Sequence, residues 1–155
     1  MTVLLRNEQR KHKVDSRALK ARTQKILDGL HCPDDEVSIL LVNDAKIRKL
    51  NARYRNIDSA TDVLSFPQED DPAGEMGFRL LGDVVVSLET ARPQAKEHRL
   101  SLEEELILLI IHGILHLSGM DHERSAQEAR RMRQKTARLF GNIFPGRKPG
   151  GTCAY

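Results

Sequence analysis

The chain alternates between short apolar runs and longer amphipathic segments. Runs of β-branched and aliphatic residues predict strands, and Glu36–Val42 is apolar on both faces, as in a central strand. Apolar positions three and four residues apart predict helices, as after Ser16, the candidate N-cap of a helix with Gly29 near its end. The predicted strands cover residues 2–5, 36–42, 61–66 and 82–88. The predicted helices begin near residues 16, 44, 89, 101 and 125.

The helix that begins at Ser101 has the clearest signature. Ser101 and Glu104 have the spacing of a capping box, in which each side chain bonds the backbone N–H of the other residue. Residues 106–111 are apolar on every side, which predicts a helix buried in the centre of the domain. Strands that alternate with helices and are followed by two closing helices indicate an α+β fold of α/β-type order, with a small mixed sheet.

Two segments lack such periodicity. Residues 68–79 (QEDDPAGEMGFR) are a loop by composition. Residues 141–155 are rich in glycine and proline, and we expect a flexible tail there. The sequence therefore predicts a single domain over residues 1–140, with its last helix ending near Phe140.

Composition restricts the class of protein. With 39% hydrophobic and 30% charged residues, the 155-residue chain is typical of a globular domain rather than a disordered one. Its net charge of +3 permits an acidic partner such as RNA but does not identify one. Cys32 and Cys153 lack metal-site spacing, and a structural disulfide is not expected. Because no apolar run suits a signal peptide or a membrane span, we expect a cytoplasmic location.

Candidate chemistry is concentrated in the segment HGILHLSGMDH, from His112 to His122. Residues four apart lie on one face of a helix, so His112 and His116 can direct their imidazole nitrogens at one point. Gly119 allows the chain to leave the helix through a left-handed residue, and this turn can return His122 as a third ligand. Three imidazoles leave one tetrahedral position open, as in catalytic zinc sites.

The same spacing occurs in the metzincin protease signature, with one difference. The residue after the first histidine is glutamate in those proteases, where it is the general base, whereas here it is Gly113. A peptidase is therefore not expected. Asp83, Asp121 and Glu123 are alternative proton carriers, although each is more typical of a solvated or supporting residue. A closed structural zinc site would need a fourth ligand, and Cys153 and His98 are poor candidates.

Arg55 is a second candidate, because it lies between a predicted helix and a predicted strand. A guanidinium there could hold a phosphate through two hydrogen bonds or stabilise charge in a transition state. The alternative is a surface arginine paired with Asp58. Position alone does not decide between the two.

Three blocks of the sequence together resemble the YbeY family of endoribonucleases and ribosomal-RNA maturation factors. These blocks are LNARYRNIDSATDVLSFP, LGDVVVSLETA and HGILHLSGMDH. The resemblance implies a mixed sheet of about four strands flanked by helices, with one Zn²⁺ per chain held by His112, His116 and His122. It also implies that Arg55, the arginine of the family's YR pair, acts in catalysis.

The resemblance further implies a function. We expect a single-strand-specific, zinc-dependent endoribonuclease that matures the 3′ end of small-subunit rRNA and acts in ribosome quality control. Its partners would be rRNA in the small subunit, and ribosomal proteins or an assembly GTPase, with neither DNA nor a membrane. Two alternatives stay open: a ribosome-assembly or RNA-binding factor with a structural zinc ion, and a zinc hydrolase of another small substrate.

Overall fold

A computed structural model describes residues 2–68, 77–151, 153 and 155. Its strands are β1 (Val3–Asn7), β2 (Glu36–Val42), β3 (Val63–Pro67) and β4 (Leu80–Ser87). Its helices are α1 (Ser16–Gly29), α2 (Asp44–Arg55), α3 (Leu88–Glu97), α4 (Leu102–Leu117) and α5 (Ala126–Ile143). The predicted single α+β domain with a small mixed sheet is confirmed.

The sheet has the strand order β1-β2-β4-β3. β1, β2 and β4 are parallel, whereas β3 runs antiparallel to β4 along one edge. Because Val63 of β3 pairs with Val86 of β4, the start of the edge strand lies beside the end of its neighbour. Asp62, directly before β3, accepts a hydrogen bond from the Ser87 backbone N–H through its carbonyl oxygen (2.9 Å).

The two faces of the sheet bury different helices. Val84 and Val86 of β4 belong to the large core formed with α1, α4 and α5. Val85, which points to the opposite face as strand geometry requires, packs with Ile47 of α2 in a smaller core. The central strands are therefore apolar on both faces.

α4 is the predicted buried helix. Ser101 accepts a hydrogen bond from the Glu104 backbone N–H, and the Glu104 carboxylate accepts one from the Ser101 backbone N–H, so the capping box is present. Every residue from Glu104 to Leu115 is buried. One face of this helix packs against the sheet, and the other packs against α1, α3 and α5.

Several boundaries differ from the sequence prediction. Asp15, not Ser16, caps α1 by accepting a hydrogen bond from the Ala18 backbone N–H. Proline favours the first turn of a helix or kinks the helix that contains it, and α3 continues through Pro93, so the first of these two expectations is wrong. α5 ends at Ile143 rather than near Phe140, and the flexibility of the following segment stays a prediction.

The other sequence expectations concern loops, cysteines and membrane spans. Residues 69–76 of the predicted loop lie outside the described residues. Cys32 and Cys153 are free thiols, as expected. Among the helices described, none has both the length and the apolar character that crossing a membrane requires.

Candidate metal centre

The last turns of α4 place two histidines side by side. The Nε2 atoms of His112 and His116 are 3.1 Å apart, and their ring planes meet at 81°. His112 is buried, whereas His116 is half-buried at the end of the helix. Their four-residue spacing and the buried helix backbone therefore fix both rings toward one point, as predicted.

The third histidine reaches this point through a turn that glycine permits. α4 ends at Leu117, and Gly119 adopts a φ of +95°, a backbone conformation that side-chain-bearing residues rarely adopt. The exposed His122 then returns so that its ring centre lies 5.2 Å from that of His112 and 5.3 Å from that of His116. One potential ligand nitrogen from each of the three rings lies within 4.8 Å of the others.

The protein environment keeps the buried imidazoles neutral. Burial, followed by the nearby His116 and His122 rings, lowers the pKa of His112 to about 3. Burial likewise lowers the pKa of His116, with a further contribution from His122. A neutral imidazole offers a lone pair to a cation, so burial prepares these side chains as ligands before any ion arrives.

The donor geometry fits a metal ion. Zinc–imidazole bonds of about 2.0–2.1 Å at tetrahedral angles place two ligand nitrogens about 3.3 Å apart, close to the observed 3.1 Å. Within the described chain the group contains no fourth histidine, cysteine or carboxylate. His98, one of the weak fourth candidates, instead pairs through its Nδ1 with Glu105 (2.7 Å). The three histidines could therefore hold a metal ion while leaving a coordination position open.

Gly113 shows why a metzincin-like glutamate is absent. A Cβ atom at this position would lie 2.6 Å from Cγ1 of Val84 and 3.2 Å from Oγ of Ser65. The Ser65 hydroxyl also donates a hydrogen bond to the Gly113 carbonyl (3.2 Å). Position 113 thus faces the sheet closely and cannot hold a larger side chain unless Val84 or α4 shifts.

Arg55 lies on the wall of the same cavity. It is the last residue of α2, and its guanidinium donates a hydrogen bond to the Ser65 carbonyl across the opening (3.2 Å). Its proposed surface pairing with Asp58 does not occur, because Asp58 accepts two hydrogen bonds from Arg48 instead (2.8 and 3.2 Å). The arginine is exposed and close enough to His116 to lower the pKa of that imidazole.

The histidines and Arg55 line one cavity of about 460 Å³. Asp121 and Glu123 also line it, whereas Asp83 does not. Among the further polar side chains that line the cavity, Asp62 and Tyr155 are two that sequence reasoning missed. No local spacing signals them, since 93 positions separate the two residues whose side chains meet here.

Comparison with known proteins agrees with this geometry. The family model described as "Endoribonuclease YbeY" matches residues 4–143. The chain belongs to the YbeY family. A protein named "Endoribonuclease YbeY" from Persephonella marina is 43% identical over 91% of this chain and 92% of its own length. The protein of that name from Syntrophotalea carbinolica is 41% identical over 90% of this chain and 93% of its own length.

A solved structure shares this fold. The solution structure of a Thermotoga maritima protein aligns with a TM-score of 0.63 at 26% sequence identity, over 94% of this chain and 99% of that one. The family resemblance inferred from the three sequence blocks is therefore confirmed, and so is the mixed four-stranded sheet flanked by helices. Tyr155 lies outside the region that the YbeY family model matches.

Proposed function

We propose that this chain is a zinc-dependent endoribonuclease that cleaves single-stranded RNA during maturation of the 3′ end of small-subunit rRNA. The observation that supports it most is the convergence of three histidines in one cavity with an exposed arginine. The names of its relatives supply the reaction class, cleavage within an RNA chain. A cytoplasmic role in ribosome quality control, with ribosomal proteins or an assembly GTPase as recruiting partners, belongs to the same proposal.

The residues that line the cavity would have different roles in the reaction. His112, His116 and His122 would hold the ion, which when bound supplies Lewis acidity and lowers the pKa of coordinated water. Arg55, opposite the histidines, would contact the scissile phosphate and stabilise the negative charge that develops on its oxygens. Because position 113 has no side chain, proton transfer falls to another group lining the cavity, such as Asp121 or Glu123.

The test is cleavage of an end-labelled single-stranded RNA by metal-loaded protein. His116→Ala removes a ligand and should abolish cleavage together with stoichiometric metal binding. Arg55→Ala should retain the metal and lower kcat by about 100-fold or more, the usual effect of losing a group that stabilises transition-state charge. Circular dichroism would show whether each variant remains folded.

Arg53→Ala is the matched control. Arg53 is an exposed arginine two residues before Arg55 and stacks over the Tyr54 ring (5.3 Å). Its removal should leave cleavage unchanged. If the Arg55→Ala and His116→Ala proteins still cleaved RNA, the nuclease proposal would fail. RNA binding without cleavage under any divalent metal would instead favour the assembly-factor alternative.

A further inference from the structure

A narrow slot beside the histidines is filled by a side chain from outside the family-matched region. The Tyr155 ring centre lies 4.2 Å from that of His112, with the planes inclined by 53°. Its hydroxyl donates a hydrogen bond to Oδ2 of Asp62 (2.7 Å). Tyr155 lines both the main cavity and an adjoining one of about 220 Å³ that reaches α5. The slot between Asp62 and His112 thus holds a flat aromatic ring with one polar edge.

Asp62 determines what kind of group this slot can accept. The residue is buried, with 9% of its surface exposed. Its Oδ1 accepts hydrogen bonds from the Val63 backbone N–H (2.8 Å) and the Thr61 hydroxyl (3.3 Å). Its Oδ2 accepts from the tyrosine hydroxyl. Both carboxylate oxygens accept hydrogen bonds here, so a group that replaces the tyrosine keeps Oδ2 paired by bringing an N–H or O–H donor.

The segment that carries Tyr155 is anchored before it reaches the slot. The Arg147 guanidinium binds both carboxylate oxygens of Glu104 (2.8 and 3.1 Å), and the Gly150 N–H donates to the His98 carbonyl (2.7 Å). Cys153 is half-buried against the core and must move together with Tyr155. Five residues of extended chain reach about 17 Å, so both residues can leave while the Arg147 and Gly150 anchors remain. Attachment to the domain and occupation of the slot are therefore separable.

We propose that the slot between Asp62 and His112 is a nucleobase subsite, which Tyr155 occupies until an unpaired base of the RNA displaces it. This inference rests on the proposed function. Unpaired RNA bases stack on aromatic and histidine side chains and form hydrogen bonds through their polar edges, which present N–H donors. A base would reproduce both contacts of the tyrosine: its flat face against the imidazole and a donor toward the carboxylate.

The experiment uses the two tyrosines of the chain, Tyr54 and Tyr155, as reporters. The full chain is labelled with 3-fluorotyrosine, and Tyr54→Phe assigns the two ¹⁹F signals. Metal-free protein is titrated with a single-stranded 2′-O-methyl oligonucleotide, which prevents turnover. We expect the Tyr155 signal to move to the position of a solvent-exposed tyrosine. An abasic oligonucleotide of equal length and charge should leave that signal in place.

Affinity gives an independent readout. Tyr155→Ala should bind the same oligonucleotide about fivefold more tightly, because the base no longer competes with an internal occupant. Tyr155→Phe keeps the ring but loses the bond to Asp62, and its affinity should lie between the two. Tyr54→Ala, which changes the exposed tyrosine outside the cavity, should bind like the unaltered chain.

Three results would overturn the subsite: RNA binding with the Tyr155 signal unmoved, equal displacement by the abasic strand, or weaker binding by Tyr155→Ala. The last result would make the tyrosine part of the RNA-binding surface. Failure of every variant to bind RNA would overturn both the subsite and the proposed function. Binding and displacement without cleavage by the metal-loaded protein would overturn the proposed function alone.

Discussion

The three histidines are positioned by two very different parts of the molecule. His112 belongs to a helix in which every residue from Glu104 to Leu115 is buried, so packing on all sides fixes its ring. His122 belongs to an exposed turn, and its position depends on the backbone conformation of Gly119. Two candidate ligands are therefore positioned by the buried helix, and the third by the turn at one glycine. Perturbing each part separately should have distinct effects.

The largest effect is expected from Gly113→Ala, on the buried side. The added methyl group would lie 2.6 Å from Val84 in the central sheet, where overpacking costs about 1–3 kcal/mol. Alanine's better helix propensity offsets about 1 kcal/mol of this cost, so the free energy of unfolding should fall by up to about 2 kcal/mol. Urea denaturation would measure this change. Higher stability would contradict the close approach of α4 to the sheet.

Gly119→Ala should act on the exposed side. A methyl group here meets no atom within 4 Å, but the φ of +95° is unfavourable for alanine by about 1 kcal/mol. Because the strain is relieved by moving His122, we expect metal affinity to fall about fivefold to tenfold with little change in the stability of α4. Isothermal titration of the metal-free protein would measure the affinity.

Gly141→Ala is the matched control for both glycine variants. Gly141 lies inside α5, and a methyl group there also meets nothing within 4 Å. This change should raise stability by about 0.5–1 kcal/mol and leave metal affinity unaltered. If Gly141→Ala lost as much metal affinity as Gly119→Ala, the role of Gly119 in positioning His122 would be contradicted.

The smallest effect on stability is expected from replacing Arg147, which lies after α5 and binds Glu104 of the buried helix α4. The Arg147 guanidinium, followed by backbone and side-chain bonds from Ser101, lowers the pKa of Glu104 from 4.5 to about 2. A lowered folded-state pKa gives stability that is present above about pH 4.5 and is lost as pH falls toward 2. Arg147→Gln should therefore lower the free energy of unfolding slightly near pH 7, because Arg147 is half-exposed, and by less in acid.

Urea denaturation of the unaltered and Arg147→Gln proteins over a range of pH would check this dependence. Arg138→Gln, at an exposed α5 arginine with no ion pair among the described residues, should show no such trend. A stability difference that grew as the pH fell would contradict a stabilising role for the ionised Glu104 carboxylate.

Prediction from sequence worked where the signal was local. The bounds of β2, the capping box at Ser101 and the convergence of three histidines all depend on spacings within a few turns of chain. The predicted start of β4 is two residues late. Glycine commonly interrupts a strand, but Gly82, with a φ of +131°, lies inside β4, which begins at Leu80. Gly82 also comes close to the Phe66 carbonyl, which only the paired strands reveal.

The cavity wall was less predictable, because tertiary structure assembles it. Asp62 comes from the start of an edge strand, and Tyr155 from a segment whose composition predicted only a loose tail. Asp58 could have paired with either Arg48 or Arg55, and only the fold shows that Arg48 is its partner. Nothing in the local sequence distinguishes these outcomes, since each depends on which surfaces the sheet brings together.

The unequal support of the three candidate ligands has a consequence for ion selectivity. The two histidines on α4 stand 3.1 Å apart on a buried helix, whereas His122 lies on an exposed turn that can adjust more readily to ions of different radius. A three-histidine site with one ligand on an exposed turn imposes little size discrimination among first-row divalent ions. Their affinities for imidazole then follow their intrinsic order. The ion bound inside a cell would accordingly reflect the supply of free metal more than the shape of the protein.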